Sequence, residues 1–297
     1  MRTSTIFAAL VAVLALASCA KEIADTPSTP EPQGRTVLVK AQAESAKSVF
    51  STPVDGVYPV VWTAKDTQVG VSVNAGAIQK ISMTPGVGTP NASFSVKGVP
   101  ETARFTVVSP YSAFKDIDGA QGRVLVNLPA TQFSSATSTD EAAQVLVARS
   151  ENYTNVPQSI TLPLQHAAAY LHLQFSHVEL LGAELESVTF ATVSTGLVGS
   201  FYYKPSDGGF AAGTSMGTSV VVVPTTLDDV WMAVAPVDLS GETITVTIAT
   251  SLGRIIKSFT WDSSKQLQSG RIIKLPIDMS DAERPDDDVY ELVTAAS

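Results

Sequence analysis

Cysteine occurs once in the 297 residues, at Cys19, so the chain can form no internal disulfide. Charged residues are scarce at 16% and aromatics stand at 7%, which argues against long, salt-bridge-laced helices. Basic residues are outnumbered, 19 Lys and Arg against 28 Asp and Glu. Residues 278–291 hold seven acids against the single base Arg284, a local −6 that leaves −3 of the total −9 for the rest. Nucleic-acid binding needs Lys and Arg to neutralise phosphates, and no such surface is available. A phosphate-cradling loop and a dinucleotide fingerprint are both missing, so no cofactor is expected. After residue 17 no apolar run approaches the length needed to span a bilayer. What the chain has instead is 44% hydrophobic content rich in Val, Thr, Ser and Ala, the composition of an all-β protein with ample core.

Residues 6–17 (IFAALVAVLALA) follow Arg2 and form a short apolar run, the h-region of a secretory signal. It ends in Leu16-Ala17-Ser18-Cys19, which resembles a bacterial lipoprotein lipobox. The resemblance implies a signal peptide at 1–18 and lipidation of Cys19, with the mature chain held at the outer membrane and facing the cell surface. Residues 19–34 contain Pro27, Pro30 and Pro32 among Ser and Thr, a semi-extended tether.

Beyond the tether, apolar and polar residues alternate at the period of a half-buried strand. Ile244, Val246 and Ile248 between threonines are the plainest case; Phe94 and Val96, Val124 to Leu128, and Leu171 to Phe175 follow the same rule. A short helical turn is expected after Thr139 or Asp140, either of which can cap it. Pro157 in a polar stretch marks an expected boundary, giving one β-sandwich at 35–156, a second at 157–280 and an acidic tail at 281–297.

Several short segments, in order, resemble the fimbrillin family of surface lipoproteins. They are Val61-Trp62-Thr63-Ala64-Lys65-Asp66 leading to Gly70-Val71, residues 105–111 (FTVVSPY), residues 162–173 (LPLQHAAAYLHL), residues 231–236 (WMAVAP) and residues 270–275 (GRIIKL). The resemblance implies two transthyretin-like sandwiches in tandem and a structural or adhesive role, as a pilus anchor, tip or accessory subunit. Its partners would be other pilus subunits or surface ligands. In stalk subunits of that family a trypsin-like protease cuts after an Arg that follows the first strand. Here the strand is expected at 36–43, and the loop at 44–58 offers Lys47 but no Arg, a departure that fits an anchor or non-pilus surface protein better. Arg35 precedes the strand and is an accessible shedding site in the tether. Val289, Tyr290, Leu292 and Val293 form a β-prone end that could serve as a donor strand, complementing a sheet edge of another subunit.

Enzymatic signals fail on context. Gly213-Thr214-Ser215-Met216-Gly217 matches G-x-S-x-G, yet a nucleophile elbow needs a strand before and a helix after it, and a flexible loop is expected. His166, His172 and His177 cluster in sequence; on one strand the first two share a face and the third opposes them, so no metal site is expected. Asp116 with Asp118 and Asp228 with Asp229 are expected in solvated turns. The alternative of another class is a carbohydrate-binding surface module, which needs an exposed aromatic platform drawn from Trp62, Trp231, Tyr202 and Tyr203.

Overall fold

The computed structural model describes residues 34–43 and 61–285. Within them the chain is all-β, with twenty strands and two short 3-10 turns at Tyr111–Ala113 and Glu141–Ala143. The first ten strands are β1 (Arg35–Ala43), β2 (Gln68–Val73), β3 (Gln79–Ser82), β4 (Thr84–Pro85), β5 (Asn91–Val99), β6 (Phe105–Ser109), β7 (Phe114–Asp118), β8 (Arg123–Leu128), β9 (Thr131–Ser134) and β10 (Leu146–Arg149). The remainder are β11 (Ser159–His166), β12 (Ala169–Ser176), β13 (Leu185–Thr192), β14 (Val198–Lys204), β15 (Gly209–Gly217), β16 (Ser219–Pro224), β17 (Val230–Val234), β18 (Thr243–Thr250), β19 (Gly253–Thr260) and β20 (Ile272–Asp278). The expected helical turn is present: the Asp140 side chain accepts a hydrogen bond from Ala142 N at 2.8 Å, capping Glu141–Ala143.

The strands form four sheets: eight strands in the order β3-β2-β6-β10-β11-β1-β5-β4, five in the order β19-β18-β13-β16-β9, four in the order β15-β14-β8-β7, and three in the order β17-β12-β20. Alternation decides which face of a strand is buried. In β18 the side chains of Ile244, Val246 and Ile248 are fully enclosed while the intervening threonines face outward. Two strands, β6 and β17, are buried along their whole length and read as unbroken apolar-rich runs rather than alternating ones. One continuous core runs from Val37 to Met279.

The expected division at 156/157 does not coincide with a break between sheets. β11 pairs with β1 and β10, so it completes the eight-stranded sheet of the first block. β8 pairs with β14, and β9 with β16, carrying first-block strands into sheets of the second. The chain changes sheet instead at Ala167 and Ala168, both fully buried. Ala167 N donates to Val145 O at 2.9 Å and Ala168 O accepts from Gly270 N at 2.8 Å. Pro157 reads as a linker because it interrupts strand patterning, yet it only closes the turn before β11. No helix among the described residues is long and apolar enough to cross a membrane.

Candidate functional site

The nine residues of β1 (RTVLVKAQA) turn Val37, Val39, Ala41 and Ala43 into the core, while Thr36, Leu38, Lys40 and Gln42 point away. Both edges of the strand are occupied. β5 runs antiparallel on one side, with Phe94 opposite Val39 and Ala92 opposite Ala41. β11 runs parallel on the other, with Ile160 opposite Val39 and Leu164 opposite Ala43. Withdrawing β1 would leave two open rows of backbone donors and acceptors flanking an apolar slot lined by Phe94, Val96, Ile160, Leu162 and Leu164. Such a slot can be closed only by another strand.

Arg35, expected ahead of the strand, is its first residue and pairs with Val99. The ladder reaches back this far because Gly34 lies against Gly98, where a Cβ on Gly34 would come within 2.6 Å of the Gly98 carbonyl carbon. The Arg35 guanidinium donates to Asn155 Oδ1 at 3.2 Å and to Glu101 O at 3.5 Å. Cys19, Lys47, Val289, Tyr290, Leu292 and Val293 lie outside the described residues.

The histidines do not share a strand: His166 ends β11, His172 lies in β12 of another sheet, and His177 follows β12. His166 is buried, and its Nδ1 meets the Tyr170 hydroxyl at 2.6 Å. Burial pushes the Tyr170 phenol far above its ordinary range. His172 is stacked on Trp231, ring centroids 3.8 Å apart at 7°, and its Nε2 is hydrogen-bonded to Asp229. Its Nδ1 is buried without a hydrogen-bond partner. Burial holds the His172 pKa below the usual imidazole value, opposed by the Asp229 contact. Asp229 is thus a partner of His172 rather than a solvated turn acid; nothing local in the sequence joins two residues 57 positions apart. Asp118 keeps its turn role, accepting from Gln121 N at 3.0 Å and pairing with Arg123 at 2.9 Å. His177 pairs with Asp278 at 2.8 Å. Among the described residues no three His, Cys, Asp or Glu side chains gather as a metal site.

Gly213-Thr214-Ser215-Met216-Gly217 is not the expected loop. It belongs to β15, paired antiparallel with β14, and a strand follows it, so the geometry of a nucleophile elbow is missing. Three of the four aromatics expected to form a sugar platform are enclosed. Trp62 and Tyr203 are fully or nearly fully buried and Trp231 is 3% exposed. Trp62 Nε1 donates to Pro90 O at 3.0 Å, and Tyr202, half-buried, lies under the Arg123 guanidinium at 4.3 Å.

No family model matches the sequence, and no curated protein matches it. Among solved structures, a candidate cell adhesion protein from Bacteroides ovatus superposes with a TM-score of 0.50 at 12% identity, over 84% of this chain and 95% of that one. The chain shares its fold. A candidate cell adhesion protein from Bacteroides uniformis gives a TM-score of 0.49 at 15% identity, covering 86% of this chain and 97% of its own. A fimbrial assembly protein from Parabacteroides distasonis gives 0.43 at 12%, over 84% and 93%. The first two are named for cell adhesion and the third for fimbrial assembly.

Proposed function

We propose that this chain is a surface-tethered, fimbrillin-like structural protein that works through protein–protein contact, as an anchor, tip or accessory subunit. Lipid on Cys19 would hold it to the outer membrane, and residues 20–34 would space the folded part from the surface. The observation that supports the reading most is the position of β1, an N-terminal strand hydrogen-bonded on both sides and followed by a segment containing Lys47. Cleavage in that segment would free β1 together with the lipidated tether, so a copy that exchanges β1 for a partner's strand leaves the membrane, whereas an uncut copy keeps β1 and stays anchored. Val289, Tyr290, Leu292 and Val293 are the residues of this chain suited to such donation. The carbohydrate-binding alternative is weakened because Trp62, Trp231 and Tyr203 are enclosed, leaving only half-buried Tyr202 of the four aromatics named for it.

The test is limited trypsin treatment of the purified chain starting at Lys21, followed by electron microscopy and gels run without boiling. Heat-sensitive ladders or filaments that need Lys47 and vanish on removal of 289–297 establish strand donation between copies. A monomer under all conditions restricts the chain to an anchor or tip, and failure to bind any surface protein after cleavage refutes the reading. Palmitate labelling of the full chain and of Cys19→Ala tests the lipid.

A further inference from the structure

Beside the end of β1 lies a cleft of about 370 Å³, lined by Arg104, Gly122, Arg149, Ser150, Pro163 and Gln165 among others. Pro163 is the β11 residue that pairs with Gln42, so the cleft opens where β1 finishes. Arg104 sits just before β6 and Arg149 ends β10, which pairs with β6 through Thr106. Two guanidinium groups therefore converge on one concave surface.

Neither arginine is neutralised. Among the described residues no carboxylate forms an ion pair with Arg104 or Arg149, and the Nε of each is buried with no hydrogen-bond partner. The one side-chain contact is Arg149 Nη2 to Gly119 O at 3.3 Å. Gly122 crowds the same group: a Cβ there would lie 2.7 Å from Arg149 Nη1. Glu151 is the acid among the lining residues, and it is exposed and pairs with neither arginine. Asp118 faces Arg149 from the neighbouring turn but is already bound to Arg123. Burial and the charge of Arg104 both hold Arg149 below the ordinary guanidinium value. Like charges kept together cost free energy that an incoming anion recovers by bonding to the guanidinium nitrogens that line the cleft. No aromatic side chain is among the lining residues, which removes the usual stacking surface for a sugar.

We propose that this cleft binds carboxylates of the acidic tail of a second copy, Asp286, Asp287 and Asp288, next to the β1 slot. The proposal rests on the reading above that the tail enters a second copy, and it adds where the tail docks and in which direction. The three acids directly precede Val289. With the acids held beside the Ala43 end, the strand that follows them enters the slot from that end and runs opposite to β1.

The probe is a fluorescein-labelled peptide of residues 281–297, titrated into the full mature chain and read by anisotropy. Outside residues 278–291 the chain carries a formal −3, with no net positive field to attract an acidic peptide, so saturable binding that depends on both arginines is diagnostic. Binding is expected, weakened at least about tenfold by Arg104→Gln and by Arg149→Gln, with unchanged melting temperature required of at least the first. A peptide with Asp286, Asp287 and Asp288 changed to Asn should lose binding likewise, and salt should weaken the native peptide. No binding, or binding indifferent to both arginines, overturns the proposal. So does displacement by glucuronate in place of peptide binding, which would make the cleft a sugar-acid site. Ladders that form without peptide binding remove this inference alone. Peptide binding without ladders removes strand donation and leaves the cleft.

Discussion

Replacing Val39 by Ala tests whether β1 is the interior strand that the register assigns. Val39 is fully buried between Phe94 and Ile160. Losing two methyl groups costs about 1.6 kcal/mol in transfer free energy at roughly 0.8 kcal/mol per carbon. A rigid surround adds about 1 kcal/mol for the cavity. The sum, about 2.5 kcal/mol, corresponds to a fall of roughly 5–10 °C in melting temperature for a domain of this size. Leu38, one residue away, is 39% exposed on the opposite face, so Leu38→Ala should cost less than about 0.5 kcal/mol. Thermal and urea unfolding followed by tryptophan fluorescence measure both, since all three tryptophans are buried. Equal losses for the two variants, or a larger one for Leu38, would refute the facing of β1 and with it the slot. The same variant should speed tryptic release of the N-terminal segment, because a loosened strand opens more often.

His172 resists protonation when folded, whereas the unfolded imidazole takes up its proton near pH 6.5, so the stability it contributes is complete above that pH and is lost as pH falls from there through the lower folded value. Urea midpoints at pH 5 and 7.5 should therefore differ less in His172→Gln than in the parent. Asp278 is held at about 2, chiefly by the Ser280 N–H and then by His177; its contribution is present above the unfolded carboxylate value and disappears only as pH approaches about 2, which a carboxyl-carbon NMR titration reads directly. Trp231→Phe removes the 3.3 Å hydrogen bond to Ala136 O and part of the stack on His172, at a cost of about 1–3 kcal/mol seen as a lower urea midpoint and a changed near-ultraviolet dichroism. Gly213→Ala would place a Cβ 2.0 Å from Ser200 O, forcing β14 and β15 apart, and should lower the melting temperature by several degrees, an overpacking cost of about 1–3 kcal/mol.

Strands with one wet face were legible because the pleat writes its period into the residues, as in the Ile and Val against Thr of β18. The strand at 36–43 was expected from the family resemblance, and the cap at Asp140 from its residue type. Partnership across long separations was not. Nothing in residues 35–43 states that residues 159–166 lie alongside them, since parallel pairing leaves no turn between the strands. The Gly- and Ala-rich β15 carries too few side chains to show a pattern, and its strand state is imposed by β14. His172 and Asp229 meet only because β12 and β17 are neighbours in register, with His172 opposite Trp231. Arg104 and Arg149 come together through the pairing of β6 with β10.

The parallel ladder between β1 and β11 also sets an order of events during synthesis. Arg35–Ala43 emerges among the first parts of the folded body, yet one of its two neighbours is made more than a hundred residues later. Until Ser159–His166 arrives, β1 can gain at most the antiparallel partner β5, and closing so distant a contact is slow. The first strand of the folded body is thus among the last to be locked. For that interval β1 presents a half-finished edge that a holding chaperone or a second copy could reach first.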